Sequence, residues 1–181
     1  MKTIILCSIL IFSVLVITAS GLISNASAQV STSHVVINEI DTNPLGDDAK
    51  SISEWVELYN PTNSKIDISG WKIASTTVMK KTMTIPPGTV IEPGKFLTYS
   101  YEPLWFTDTS EFVELRDKND VIVDKTPLLS DMKNDYTSWQ RIYDGYDLDA
   151  SDDWKFTTST VDSSNGKLLV TENDVAVSIS V

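Results

Sequence analysis

The sequence predicts an all-β fold, an antiparallel sandwich that follows an N-terminal signal peptide. Short runs rich in β-branched and aromatic residues recur about every 8–15 residues, divided by Pro, Gly, Asn and Asp turns. No long segment beyond the N-terminus shows the 3.6-residue apolar period of a helix. The clearest strand is Glu54-Trp-Val-Glu-Leu-Tyr-Asn60, where Val56 and Leu58 alternate with Trp55, Glu57 and Tyr59.

Residues 1–28 read as a secretory leader. Lys2 supplies a short positive region, Ile4 to Ile17 is apolar, and Ala26-Ser27-Ala28 forms a small-residue cleavage site before Gln29. The alternative is a retained anchor, since Ile4 to Ile23 carries no charge and is long enough to span a bilayer. On either reading the remainder sits outside the cytoplasm, secreted or at the cell surface. Cys7, the one cysteine, lies within the leader. The exported part therefore has no disulfide and stands on its core alone.

The elements follow in order. Val35 to Ile40 is a first strand, with Val36 and Ile40 on one face and Val35 and Ile37 on the other. Asp41 to Asp48 is an acidic loop broken by Asn43-Pro44 and Gly46. Residues 54–73 read as a hairpin that turns at Asn60-Pro61 and Asn63-Ser64 and bends at Gly70, with Val56, Leu58, Trp71 and Ile73 as core. Thr82 to Ile85, Thr89 to Ile91 and Phe96 to Tyr101 are strands separated by Pro-Gly turns. Glu111 to Arg116 and Val121 to Asp124 form a hairpin about Asp117-Lys-Asn-Asp120. Ser138 to Tyr143 is a strand, Asp144 to Asp153 a second acidic loop, and Trp154 to Phe156 a short extended piece. Leu168 to Val170 and Val175 to Val181 are strand-like. The domain is expected over residues 35–165, with residues 166–181 as an extension.

Lys and Arg number 14 against 25 Asp and Glu, a formal charge of −11, and loss of Lys2 with the leader would take it to −12. That balance opposes non-specific binding to nucleic acid and to anionic membranes. A membrane association is expected only through an uncleaved leader.

Taken together, Val36-Ile-Asn-Glu-Ile40, Asn43-Pro44 with its acidic loop, Glu54 to Asn60, and Ile68-Ser-Gly-Trp-Lys-Ile73 resemble the lamin tail domain family. Ile85 to Gly94 looks like that family's paired Pro-Gly turns, and Glu111 to Asp124 like its Asp/Asn-turn hairpin. Ser138-Trp-Gln-Arg141 with Asp153-Trp154 looks like the closing segment of its secreted bacterial and archaeal members. The resemblance implies an immunoglobulin-like sandwich and a mainly non-catalytic module, found in prokaryotes on exported or surface proteins. The usual Thr-Pro-Gly ending is replaced here by Ser159 to Gly166. No sustained heptads accompany the domain, so a nuclear role is not carried over.

Each chemical candidate stands beside a plainer reading. His34 is the single histidine, and with no cysteine left after the leader no nucleophilic triad is expected. Glu39, Glu54 and Glu57 have the residue type of glycosidase carboxylates. The plainer reading puts them on the solvent face of an antiparallel sheet. Asp41, Asn43, Asp47 and Asp48 make one oxygen-rich loop, and Asp144, Asp147, Asp149 and Asp152 a second. Either offers ligands for Ca²⁺, the one cofactor considered, although neither fits the EF-hand spacing; the plainer reading is solvated acidic turns. Trp105, between Pro103 and Phe106, is the candidate for stacking on carbohydrate, against core packing as the commoner fate of Trp.

The leading expectation is an exported, non-catalytic module that binds a cell-envelope protein or polysaccharide. The alternatives are a structural envelope subunit that assembles by strand addition and an accessory domain of an extracellular hydrolase.

Overall fold

A computed structural model describes residues 32–51 and 53–167. In chain order its strands are β1 (Val36–Asp41), β2 (Trp55–Tyr59), β3 (Ile66–Asp67), β4 (Lys72–Ser75), β5 (Thr82–Thr84) and β6 (Val90–Ile91). They continue with β7 (Phe96–Ser100), β8 (Val113–Arg116), β9 (Ile122–Lys125), β10 (Thr137–Arg141) and β11 (Trp154–Thr158). One sheet has the order β11-β10-β1-β2-β7 and the other β5-β4-β8-β9, with β3 and β6 as a two-stranded link. All the strand pairs are antiparallel. The fold is an all-β, immunoglobulin-like sandwich. The leader and the strand-like pieces 168–170 and 175–181 lie outside the described residues.

The core is built where the sequence alternation points inward. Val56 and Leu58 on β2, Ile73 on β4, and Val113 and Leu115 on β8 are fully buried in one apolar cluster. Trp71 is half-buried and packs against that cluster from its side. The β8–β9 hairpin forms as expected, and its turn is held by Asp117 Oδ1, which accepts the N–H groups of Asn119 and Val121 at 2.8 and 2.9 Å.

Three expectations are corrected. Residues 54–73 are not a hairpin: β2 pairs with β1 and β7 in one sheet, and β4 with β5 and β8 in the other. Asn60 explains the crossing, because its Nδ2 donates to the carbonyls of Ser64 (2.8 Å) and Ile91 (3.0 Å), so the chain leaves the first sheet instead of folding back on it. In β1 the alternation slips at a bulge between Ile37 and Glu39. Ile37 pairs with Leu58 and Ile40 with Val56, so both enter the core despite opposite parity in sequence.

The third correction concerns Glu39 and Glu57. They pair across β1 and β2 on the sheet's outer face, but both are fully buried. Residues 159–166 cross that face as a strap. Glu39 accepts the Thr160 N–H and the Ser138, Ser159 and Thr160 hydroxyls, and Glu57 accepts the Asp162 N–H and the Asn38 amide. A buried carboxylate needs such donors.

Candidate functional site

Three loops converge at one end of the sandwich: residues 42–54 after β1, 101–112 between β7 and β8, and 126–136 between β9 and β10. Glu54 organises them. It has the parity of Val56 and Leu58 and so points inward, where it is almost fully buried. Its Oε2 accepts the Trp105 N–H at 2.5 Å and its Oε1 the Phe106 N–H at 3.2 Å. Leu104, at φ 54°, donates its N–H to the Asp48 carbonyl at 3.2 Å. The Asp131 N–H reaches the Asp108 carbonyl at 2.7 Å, and the Asn43 amide reaches the Asp131 carbonyl at 3.1 Å.

These bonds bring carboxylates together. Oxygens of Asp48, Glu54 and Asp108 all lie within 4.8 Å of one another. Burial pushes Glu54 up from 4.5 to about 8, with Asp48 and Asp108 adding to the rise and the two backbone donors opposing it. Burial also raises Asp41 to about 7, helped by the charges of Asp131, Asp48 and Glu39. Asp108 and Asp131 are raised too, first by burial and then by neighbouring carboxylates. The groups therefore disfavour one another's charge in the absence of a cation.

Of the first candidate loop, Asp41 and Asp48 sit in this acidic end. Asn43 is spent on structure: its amide binds Asp131 and its Oδ1 accepts the Asn134 amide. Asp47 faces solvent and pairs with Lys50. Trp105 does not offer the exposed stacking surface considered for it. It is fully buried, stacked on Phe106 with centroids 4.4 Å apart and met edge-on by Tyr101, because its N–H anchors it to Glu54.

The second acidic loop, at the other end, is organised by a cation from within the chain. Arg141 on β10 is 1% exposed. Its Nε donates to the Ile37 carbonyl, one terminal nitrogen to the Tyr146 carbonyl and Asp147, and the other to both oxygens of Asp124 at 3.0 and 2.9 Å. Its guanidinium lies 4.9 Å over the Trp154 ring, and Asp153 stands 3.8 Å away. Asp144 is held by Asn38, Ser164 and the Asn165 N–H. Asp149 and Asp152 are exposed and are not brought to a common point with the others. His34 stands 4.0 Å from Asp147. A pocket of about 200 Å³ beside Trp154 and Asp153 is smaller than usual ligand sites.

Sequence reasoning missed Asp108 and Arg141, and took Glu54 for an outward-facing residue. The parity of Glu54 with Val56 and Leu58 was the available signal; Asp108, in Thr107-Asp-Thr109 of an irregular loop, carries none.

The arrangement is that of an immunoglobulin-like β-sandwich whose buried charges serve the fold and whose end loops carry what chemistry it has. It fits a non-catalytic module. The chain belongs to the Lamin Tail Domain family, whose model matches residues 28–126. The match covers β1 to β9; β10 and β11 lie beyond it yet complete the five-stranded sheet. No curated protein matches the chain.

Proposed function

We propose that this chain is an exported, non-catalytic sandwich module that binds a protein or polysaccharide of the cell envelope through its end loops. The observation that supports this most is how the polar core is used. Glu39 and Glu57, the carboxylates nearest to a hydrolytic pair, are sealed under residues 159–166. Arg141 is enclosed by Asp124, Asp147 and Trp154. The open loop surface includes the exposed side chains of Leu45, Met132 and Tyr136 at the acidic end. Family membership agrees with a binding role, and the leader-like segment 1–28 supports export.

The test has two arms. The full chain, expressed with its own N-terminus, should be recovered outside the cytoplasm with residues 1–28 removed. The purified product should bind isolated cell envelopes saturably, and protease or glycosidase treatment of the envelopes would tell a protein partner from a polymer. Retention in the cytoplasm, or binding that does not saturate, would reject the proposal.

A further inference from the structure

We infer that Asp48, Glu54 and Asp108 form a Ca²⁺ site that ties the three loops at the acidic end of the sandwich. The inference is independent of what the module binds. Three oxygens around one Ca²⁺ at roughly 2.4 Å can stand no more than about 4.8 Å apart. The three carboxylates already meet that limit, from two loops far apart in sequence. All three are hard oxygen donors, with no sulfur or imidazole among them, which selects Ca²⁺ over softer metals.

An acidic cluster alone does not make a site, and here the same loops hold buried polar atoms without partners among the described residues: the Thr42 hydroxyl, one Asp131 oxygen and the Trp105 indole N–H, of which only the two oxygens can face a cation. Thr42 is 1% exposed, and its Oγ1 has no hydrogen-bond partner among the described residues. Asp41 pairs with Trp55 at the end of the ladder, and Thr42 and Glu54 are the next residues along the two chains. Asp131 is also 1% exposed; its Oδ1 accepts the Lys133 N–H, while its Oδ2 has no partner among the described residues. Its N–H donates to the Asp108 carbonyl, although its carboxylate is not among the three that lie within 4.8 Å of one another. Buried polar oxygens without partners are costly. A cation beside Glu54 gives the Thr42 hydroxyl a role as a neutral ligand and offsets the charge of Asp131.

The ligand set differs from either acidic loop read as a unit, since its members come from residues 48–54 and from 108. A cation there would fasten the 101–112 loop, and Trp105 with it, to the end of β1. The site is small and near the surface, which suggests the weak affinity of extracellular Ca²⁺ modules, a Kd on the order of 10⁻⁴–10⁻³ M.

The experiment uses the full chain stripped with EDTA. Millimolar Ca²⁺ should raise Tm by about 3–6 °C, saturably. Tb³⁺ should show emission excited through tryptophan, displaced by Ca²⁺. Asp108→Asn should remove both signals. Its carboxylate accepts its own backbone N–H, which an asparagine oxygen can accept as well, so the variant is expected to fold. Asp48→Asn is the second variant; an asparagine oxygen there still accepts the Ser53 hydroxyl that Asp48 Oδ1 accepts at 2.8 Å. Asp149→Asn, in the other acidic loop, should leave both signals intact. No Tm shift, a shift that survives both Asp108→Asn and Asp48→Asn, or a larger response to Mg²⁺ than to Ca²⁺ would overturn the assignment.

Discussion

Arg141 and Glu57 show how single charges are carried inside this fold. The Arg141 guanidinium replaces water with two carbonyls, two carboxylates and the face of Trp154. Burial pushes the Asp124 carboxyl up and the guanidinium opposes that rise. Arg141→Ala would leave Asp124 buried and unpaired, and is expected to cost about 3–5 kcal/mol in urea unfolding, most of it from the stranded carboxylate. The double variant Arg141→Met with Asp124→Leu should recover much of that loss. Glu57 behaves differently. Burial raises it from 4.5 to about 7, with Glu39 and Asp162 adding to the rise. The folded chain then keeps a proton that the unfolded chain releases, so its contribution is full below about 4.5 and is lost as pH rises towards 7. Glu57→Gln should flatten the fall in stability across that window. A remainder from Asp41 and Glu54, raised in the same sense, should persist. Denaturant midpoints measured from pH 4 to pH 9 would check both statements.

At the scale of elements, the strap and the loop at Gly145 hold the outer face together. Gly145 has φ 68°, and a Cβ there would lie 2.6 Å from Pro61 Cβ and 3.1 Å from Tyr59 Cε1. Gly145→Ala should therefore lower Tm, through both backbone strain and collision with the Asn60-Pro61 crossing. Truncation after Thr158 should lower the urea midpoint far more than truncation after Lys167, because only the first removes the donors that Ser159 and Thr160 give Glu39 and that Asp162 gives Glu57. Most strands were legible in the sequence, as alternation and Pro-Gly punctuation are local signals. Their partners were not. The run 54–73 has turn chemistry that suits a hairpin, and only the Asn60 side chain reaching Ile91 reveals that it changes sheets. Likewise the slip at Asn38 hides inside a run that is apolar on both parities, so the pattern of β1 could not place Ile37 and Ile40 on one face.

For the whole molecule, the two ends of the sandwich are both acidic but solve the excess charge in different ways. One end contains Arg141 and needs nothing further. The other gathers Asp41, Asp48, Glu54, Asp108 and Asp131 with no buried arginine or lysine among them. With 25 acidic residues against 14 basic ones, the chain has few cations to place there. An end left in this state is responsive to the ionic medium, and stability should rise with divalent cations more than with NaCl of equal ionic strength. Thermal melts in matched NaCl and CaCl₂ series would show it. The composition made the excess charge legible, but its unequal neutralisation depends on contacts as distant as Arg141 with Asp124 and Glu54 with Trp105.

The strap has a further consequence, for the timing of folding. Thr160 bonds to Glu39 across 121 residues, and Asn165 bonds to the Asn38 carbonyl across 127. The first strand thus closes against one of the last described segments to leave the ribosome. Contacts of such long range slow folding, and a partly synthesised chain lacks the donors that make Glu39 and Glu57 tolerable inside. A nascent chain would therefore stay unfolded until residues 159–166 have emerged. Refolding of the chain cut after Thr158 should stall in a form that proteases readily cleave, while the chain cut after Lys167 refolds to resistance.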